Sequence, residues 1–187
     1  MRLLILGLLM EKDRHPYEIR QTIKARNWHH TFRIRDGSLY YAVDQLREDG
    51  LIAVVETVSV PGDKRPDKTI YGITENGKSS FLELLYAQLE QEVYPQHPMF
   101  IALPFARHAD NAQLEQIIAK QLAVCQVRIQ KIEGVLTLKG EWLPRGAVRM
   151  LEGILRLSET EREWLQELLM DARSGRLTDG GNTNVPD

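Results

Sequence analysis

Residues 37–52 restrict the possible fold most, because they combine the signals of a short amphipathic helix and of a following β-strand. Three apolar residues are spaced four and three apart, as on one face of a helix: Leu39, Val43 and Leu46. Ser38 is expected to cap the N-terminus of this helix, and Gly50 is expected to end it in the left-handed conformation. The stretch therefore predicts a helix with one apolar face that stops just before a strand.

The remaining side chains of this helix are of the kinds that contact DNA. Its other faces carry Ser38, Tyr40, Tyr41, Asp44 and Gln45. Hydroxyl and amide groups at the start of an exposed helix suit contacts with phosphates and with base edges. The alternative is an ordinary amphipathic helix that precedes a strand, and the helix alone does not decide between the two.

A β-hairpin with a basic turn is predicted directly after this helix. Residues 51–58 are mostly β-branched or apolar, residues 60–68 are rich in turn formers, and residues 69–74 are expected to form a second strand. The turn carries three cations: Lys64, Arg65 and Lys68. A hairpin with a basic tip after a helix is typical of a winged helix-turn-helix domain, in which the hairpin is the wing.

Further helices are predicted on both sides of this unit. Residues 2–10 are apolar on nearly every side and are expected to be buried, and residues 15–23 have Pro16 where a first helical turn tolerates it. Thr74 is the expected N-cap of a helix from residue 75 to about residue 92. The predicted fold is mostly α with a small two-stranded β wing, an N-terminal winged helix-turn-helix domain followed by a C-terminal helical domain.

These motifs resemble those of the PadR family of bacterial transcriptional regulators. The matching residues are Ile5-Leu6-Gly7-Leu8-Leu9, Pro16-Tyr17-Glu18-Ile19, Gly37-Ser38-Leu39-Tyr40-Tyr41, Leu46, Glu48-Asp49-Gly50-Leu51-Ile52 and Tyr71-Gly72-Ile73-Thr74-Glu75-Asn76-Gly77. The match covers roughly residues 1–80. It implies a DNA-binding regulator, often one that responds to small planar molecules such as phenolic acids or drugs. His15-Pro16 departs from the family, which usually has a glycine before Tyr17.

The chain as a whole is slightly acidic, so any binding to DNA must rely on local clusters of Lys and Arg. The formal net charge is −2, whereas residues 19–35 contain five Arg or Lys and no acid. A basic run of this kind is a solvated face in many proteins, but here it adjoins the predicted recognition helix. The residues expected to contact DNA are Tyr17, Arg33, Arg35, Ser38, Tyr40, Tyr41, Gln45, Lys64, Arg65 and Lys68.

The second half of the chain is predicted to be helical and to pair subunits. Leu114, Ile118, Leu122, Cys125, Ile129, Ile132 and Leu136 alternate at spacings of four and three, the heptad pattern of helices packed side by side. A second long helix is expected from about residue 146 to residue 173. Two such helices leave more apolar surface than one copy covers, which favours a homodimer. The alternative is that they pack on each other and on the helix from residue 75. The residues expected at the dimer contact are Ile118, Leu122, Cys125, Ile129 and Ile132.

Two prolines, Pro95 and Pro98, make a stiff break that suggests a domain boundary. The expected domains are residues 1–93 for DNA binding and residues 94–173 for dimerisation and effector binding, followed by a disordered tail over residues 174–187. Aromatic residues near the boundary and in the helices are candidates for contacts with a small aromatic effector, although ordinary core packing is the alternative for each. They are Tyr94, His97, Phe100, Trp142 and Trp164.

Several function classes are disfavoured by the sequence. It has no Gly-x-Ser-x-Gly elbow, phosphate loop or His-Glu-x-x-His motif, so it is not expected to be an enzyme or to need a cofactor. The single cysteine, Cys125, excludes an internal disulfide, and no metal site is predicted. The apolar run over residues 3–10 is too short to span a bilayer, so a cytoplasmic protein is expected. A winged-helix module for protein assembly and a metal-responsive regulator remain as alternatives.

Overall fold

The computed structural model describes residues 1–26, 28, 32, 36–58 and 68–179. It divides the chain into two compact units, Met1–Tyr94 and Pro95–Asp187. Each unit has a hydrophobic core of its own. None of the helices in the described part of the chain combines the length and the apolar character that a membrane span requires.

The first unit has the predicted order of helices and strands, and the predicted fold class is confirmed. In chain order its elements are α1 (Arg2–Glu11), α2 (Pro16–Ala25), α3 (Asp36–Glu48), β1 (Ile52–Val58), β2 (Lys68–Ile73) and α4 (Glu75–Leu89). The strands pair antiparallel, with Ile52 opposite Ile73 and Val58 opposite Lys68. Arg14 adds a further bridge to Tyr71, so the segment between α1 and α2 lies along β2.

The core of this unit is formed by the apolar faces that the spacing predicts. Leu39, Val43 and Leu46 are buried in α3, and Ile19 and Ile23 are buried in α2. The apolar helix α1 contributes four more buried residues: Ile5, Leu6, Leu8 and Leu9. Because these residues face inward, the polar and aromatic side chains of α3 are left on its outer faces.

The ends of the helices explain several of the small and polar residues. Gly50 adopts a φ of 70° just after α3, as predicted. Thr74 caps α4, also as predicted, because its hydroxyl accepts a hydrogen bond from the Gly77 N–H. Gly77 itself lies so close to Leu51 that an added Cβ would be 2.0 Å from the Leu51 carbonyl oxygen. The prediction that Ser38 is an N-cap is wrong, because α3 already begins at Asp36 and a cap precedes the first helical residue.

His15 begins α2 with a capping box. Its ring nitrogen Nδ1 accepts a 3.1 Å hydrogen bond from the Tyr17 N–H, and its own N–H donates to the Glu18 carboxylate at 3.0 Å. Pro16 takes the first helical position, as predicted. The His15 and Glu18 side chains therefore each accept a hydrogen bond from a backbone N–H at the start of the helix.

The second unit is built on two long helices. A 3-10 turn over Leu103–His108 is followed by α5 (Asn111–Lys139), a short turn over Gly140–Trp142 and α6 (Arg145–Arg173). Asp110 caps α5 by accepting from the Gln113 N–H. The predicted heptad seam of α5 packs against α6 within the chain: Ile118, Cys125 and Ile129 form one core with Leu165, Leu168, Leu169 and Ala172.

Turns continue the chain after α6, up to residue 178. Leu177 packs against the core of the helical unit, and Arg176 pairs with Asp171 at 2.7 Å. Disorder was expected over residues 174–187, but Arg176 and Leu177 at the start of this segment contact the helical unit. The rest of that expectation, from residue 180 onward, lies outside the described residues.

Candidate DNA interface and candidate effector site

The outer side of α3 presents two tyrosines. Tyr41 is 69% exposed, and Tyr40 beside it is exposed as well, because Leu39 and Val43 take the buried face of the helix. Ser38 is also exposed, and Gln45 is half-buried one turn further along. The Gln45 amide donates a 2.8 Å hydrogen bond to the Glu48 carboxylate, which leaves its carbonyl oxygen to accept from another donor.

The exposed side of α2 adds a third phenol. Tyr17 is exposed, and its hydroxyl accepts a 2.6 Å hydrogen bond from the Gln21 amide. Sequence reasoning named Tyr17 but missed Gln21. The available signal was their spacing of four, which places both side chains on the same face of a helix. The pair forms a surface on which a hydroxyl proton and an amide oxygen are both presented to solvent.

Lys68 brings positive charge to the end of the strand pair that adjoins the turn of the wing, where it lies opposite Val58. It is exposed at the first position of β2. The pKa of His15 is lowered, first by its partial burial and then by the charge of Lys68, while Glu18 acts in the opposite direction. The pairing of Arg14 with Tyr71 places β2 beside the segment that leads into α2. Four other expected DNA contacts, Arg33, Arg35, Lys64 and Arg65, lie outside the described residues.

An ion-pair network holds α1 and α2 together behind this surface. The buried Arg14 donates to the Leu8 carbonyl, to the Thr22 hydroxyl and to the Glu11 carboxylate. Arg26 forms a two-pronged pair with the same carboxylate at 2.7 and 2.8 Å, and this hydrogen-bonded pair lowers the pKa of Glu11. Arg26 was expected to belong to a basic face, but its main described partner is an acid of its own chain.

The structure corrects the expected subunit contact in the second unit. Ile118, Cys125, Ile129 and Ile132 are buried within a single chain, and Leu122 packs against the same core. A side chain that is already covered inside one chain offers almost no surface to a partner. The alternative that the sequence left open, in which the two long helices pack on each other, applies to these residues, because they contact α6 of the same chain. The exposed apolar residues of α5 lie on another face of the helix: Ile117, Val124, Val127, Val135 and Leu138.

Three of the five expected effector residues form one aromatic cluster, which we define as His97, Phe100 and Trp164. The ring centroid of Trp164 lies 4.8 Å from that of His97 and 5.5 Å from that of Phe100, in edge-to-face arrangements. Trp142 is 85% exposed at the end of α5, and Tyr94 is 83% exposed at the end of the first unit. No ring contact joins either of them to the cluster among the described residues.

A polar network adjoins the aromatic cluster and connects α5 with α6. Arg128 pairs with Glu161 and donates to the Ser158 hydroxyl at 2.9 Å. Glu161 also lies 3.6 Å from Nε2 of His97, whose Nδ1 accepts from the Met99 N–H at 3.2 Å. Sequence reasoning missed Arg128, Ser158 and Glu161. The sequence of one helix does not show which residues of a second helix will lie against it.

The single cysteine belongs to the same network. The thiol of Cys125 donates to the Ser158 carbonyl at 3.1 Å, and Arg128 lies 3.3 Å from its sulfur. Burial raises the pKa of the thiol, with a further contribution from Glu161. A buried thiol with a raised pKa is inert, because the thiolate is the reactive form.

An apolar groove of about 230 Å³ lies beside α5 in the same unit. It is lined by Met99, Leu103, Phe105, Ile117 and Ile118, among others. Within the part of the chain that the structure describes, no group of three or more His, Cys, Asp or Glu side chains is placed to hold a metal ion. The groove is thus an apolar surface of the helical unit.

Comparison with known proteins agrees with this architecture. Residues 5–83 match the model of the transcriptional regulator PadR-like family. A protein of Lysinibacillus sphaericus described as uncharacterized is 35% identical over 82 residues, which are 44% of this chain and 72% of that protein.

Two solved structures of Bacillus subtilis PadR share the fold of nearly the whole chain. The complex with operator DNA has a TM-score of 0.74 at 17% identity and covers 91% of this chain and 96% of that one. The complex with p-coumaric acid has a TM-score of 0.68 at 17% identity and covers 92% of this chain and 98% of that one. At this level of identity the matches establish the shared fold.

Proposed function

Because the chain belongs to the PadR-like family of transcriptional regulators, which are DNA-binding regulators and not enzymes, we propose that it is a homodimeric repressor released from its operator by a small aromatic ligand. The observation that carries the proposal is the arrangement of α3. Its apolar face is buried, Tyr40 and Tyr41 are exposed, and the wing follows directly. We assign DNA binding to residues 1–93, dimerisation and effector binding to residues 94–173, and a cytoplasmic site of action.

Double-stranded DNA is the proposed partner of the first domain. In a winged helix-turn-helix domain, α3 enters the major groove, where phenol hydroxyls and the Gln45 amide suit base edges and phosphates. Lys68 begins the second strand of the wing, and the sequence adds Lys64 and Arg65 in the turn before it, where they suit phosphate contacts. The structural match to PadR bound to operator DNA supports this placement.

We place the subunit contact on the exposed apolar face of α5, which carries Ile117, Val124 and Val135. These residues recur at spacings of seven and eleven, so they share one side of the helix, away from the seam that packs on α6. A two-fold dimer would pair this face with itself and present two recognition helices about one turn of DNA apart. A dimer therefore implies an operator that is close to a palindrome.

The proposed effector is a small aromatic acid bound in the helical unit. The aromatic cluster offers ring edges and faces, and the neighbouring groove is apolar. Cationic or hydrogen-bonding partners for a carboxylate are nearby in sequence at His97, Arg107 and His108. The match to PadR in complex with p-coumaric acid supports this class of ligand. Trp142 and Tyr94 are not carried into the proposed site, because both are exposed and no ring contact among the described residues joins them to the cluster.

Selection from a random duplex library, followed by fluorescence anisotropy titration, tests DNA binding. We expect enrichment of a near-palindromic sequence and a linear fall of the logarithm of the binding constant with the logarithm of the salt concentration. Sedimentation of the complex reports how many copies bind one duplex. Failure to enrich any sequence, with no salt-dependent binding to duplex DNA, would favour the protein-assembly alternative.

A thermal-shift screen of aromatic acids tests the effector, because a ligand of the native state raises the unfolding midpoint. Any compound found is then titrated by calorimetry with and without the selected duplex. A ligand releases the protein from DNA only if it binds the DNA-free state more tightly than the DNA-bound state. Linkage then requires that DNA weaken ligand binding by the same factor by which the ligand weakens DNA binding. Equal ligand affinities in the two titrations would leave a regulator whose DNA binding does not respond to that ligand.

A further inference from the structure

One side chain of α3 is held in a fixed orientation by another. The Gln45 amide donates a 2.8 Å hydrogen bond to a carboxylate oxygen of Glu48, three residues further along the helix. An ionised carboxylate can only accept hydrogen bonds, so the group of Gln45 that faces Glu48 is its NH₂ group and not its carbonyl oxygen. Glu48 therefore decides which way the flat amide of Gln45 is turned.

The amide of Gln45 keeps one donor and one acceptor for another partner. Its NH₂ group has two protons, of which Glu48 takes one. Its carbonyl oxygen accepts no hydrogen bond from any residue in the described part of the chain. The amide thus presents a free N–H and a free carbonyl oxygen in one plane, in an orientation that Glu48 fixes.

Among the four bases, adenine matches this pattern in the major groove. Its N7 can accept from the free Gln45 N–H while its N6 amino group donates to the Gln45 carbonyl oxygen. Guanine presents two acceptors, N7 and O6, and the second would face the carbonyl oxygen. Cytosine presents a donor alone, and thymine presents an acceptor and a methyl group. Adenine is therefore the base that satisfies both atoms of the held amide.

The position of Gln45 on α3 agrees with a contact to a base. Tyr41 precedes it by four residues, so the two side chains lie on the same side of the helix, where the Tyr41 ring is 69% exposed. Leu39, Val43 and Leu46 take the buried side. The Gln45 amide thus belongs to the surface that α3 turns away from the core of the first unit.

We propose that Gln45 contacts an adenine of the operator and that Glu48 is a positioning residue, which fixes the amide without contacting DNA. The inference rests on the proposed binding of DNA through α3 and adds the base that this residue selects. The charge of Glu48 also repels the phosphates of any duplex. Glu48 is therefore expected to weaken binding to DNA of every sequence while it strengthens the preference for adenine.

Single-base changes in the duplex selected from the random library identify the adenine. Each A·T pair of a half-site is changed to G·C, and anisotropy titrations compare the wild type with Gln45→Ala. At one position the change is expected to cost the wild type about tenfold in affinity and the variant little. Adenine replaced there by 7-deazaadenine, which lacks only the N7 acceptor, should reproduce part of the loss. A Gln45→Ala variant that keeps the wild-type preference at every position would overturn the inference.

A change of the preferred base is a second test, which a loss of stability cannot imitate. Gln45→Arg replaces the amide with a guanidinium, which has donors only and can still pair with Glu48 at the same spacing. The preferred base at the identified position is expected to change from adenine to guanine, because N7 and O6 of guanine both accept. Circular dichroism checks that the variant folds. A folded variant that binds the duplex and still prefers adenine would contradict the inference.

Removing the carboxylate separates positioning from charge. Glu48→Ala is expected to bind random DNA more tightly than the wild type does and to lose most of the preference for adenine over guanine. The matched control is Asp44→Ala, which removes an exposed acid one residue before Gln45 that shares no hydrogen bond with it among the described residues. The control should also bind random DNA more tightly, but it should keep the preference. Equal preferences in the two variants would overturn the role of Glu48.

The inference and the proposed function fail in different ways. A protein that selects an operator, but whose base preference does not depend on Gln45, remains a DNA-binding regulator and contradicts the inference alone. A protein that binds no duplex contradicts the proposed function and the inference with it.

Discussion

The hydroxyl of Thr74 donates a 2.8 Å hydrogen bond to the carbonyl oxygen of Gly50. The same hydroxyl accepts a 3.0 Å bond from the Gly77 N–H at the start of α4. One side chain therefore joins Gly50, the residue that ends α3, to the first turn of α4. This contact helps to fix the distance between α3 and α4 within the first unit.

Replacing Thr74 with valine is expected to destabilise the protein by about 1 kcal/mol, because the cap of α4 is lost while the shape of the side chain is kept. Thr74→Ser retains the hydroxyl and is the matched control. Urea unfolding followed by circular dichroism gives both values. A valine variant as stable as the serine variant would mean that the cap contributes nothing measurable.

Tyr41→Ala is expected to reduce affinity for the selected duplex and to weaken the preference for it over random DNA. The ring is 69% exposed on α3, so its loss leaves the core unchanged. Tyr41→Phe separates the hydroxyl from the ring, because it removes the hydrogen bond alone. Anisotropy titrations with both duplexes measure the effect, and unchanged preference in the alanine variant would move the recognition surface away from this part of α3.

Removing cations from the wing is expected to weaken binding to all duplexes alike. Lys64→Ala, Arg65→Ala and Lys68→Ala should each make the log–log salt slope shallower by about 0.9 if the side chain contacts a phosphate. Lys78→Ala is the control, because Lys78 is already paired with Glu75 at 2.6 Å on α4. A loss confined to one DNA sequence would instead indicate that the wing contacts bases.

Two charge insertions in α5 are expected to differ sharply. Ile129→Glu buries a carboxylate in the core shared with α6 and should destabilise the helical unit by several kcal/mol. Val124→Glu lies on the exposed face and should change the stability of one chain by no more than about 0.5 kcal/mol, while it dissociates the dimer. Thermal unfolding and sedimentation report the two effects. A dimeric, stable Val124→Glu protein would place the subunit contact elsewhere.

His15 is expected to make stability depend on pH below its ordinary pKa of 6.5, because its pKa is lowered in the folded protein. As the pH falls below 6.5, the unfolded chain binds the proton first, so the contribution of His15 to folding stability declines until the lowered pKa is passed. His15→Asn keeps an N-cap and does not titrate in this range. The stability difference between wild type and variant should therefore change with pH, as measured by urea unfolding. A constant difference would contradict the prediction.

Local patterns were sufficient to predict most of the winged unit. The spacing of Leu39, Val43 and Leu46 identified the buried face of α3, and Gly50 and Thr74 marked the helix ends, because caps and periodicity depend on residues close together in the chain. The start of α3 was placed three residues late, because a cap at Ser38 implies a first helical residue at Leu39 and the helix begins at Asp36. Helix boundaries are harder to predict than helix faces, since several neighbouring residues can satisfy the first turn.

The sequence by itself determined the winged order of elements, the two amphipathic helices of the second unit and the exposed tyrosines of α3. The tertiary structure alone decided what the apolar seam of α5 packs against. A heptad pattern shows that a helix needs a partner, but α6 of the same chain and a second subunit satisfy that need equally well. It also decided that Arg128, Ser158 and Glu161 meet beside His97, because contacts between side chains 30 or more positions apart depend on how two helices are set against each other.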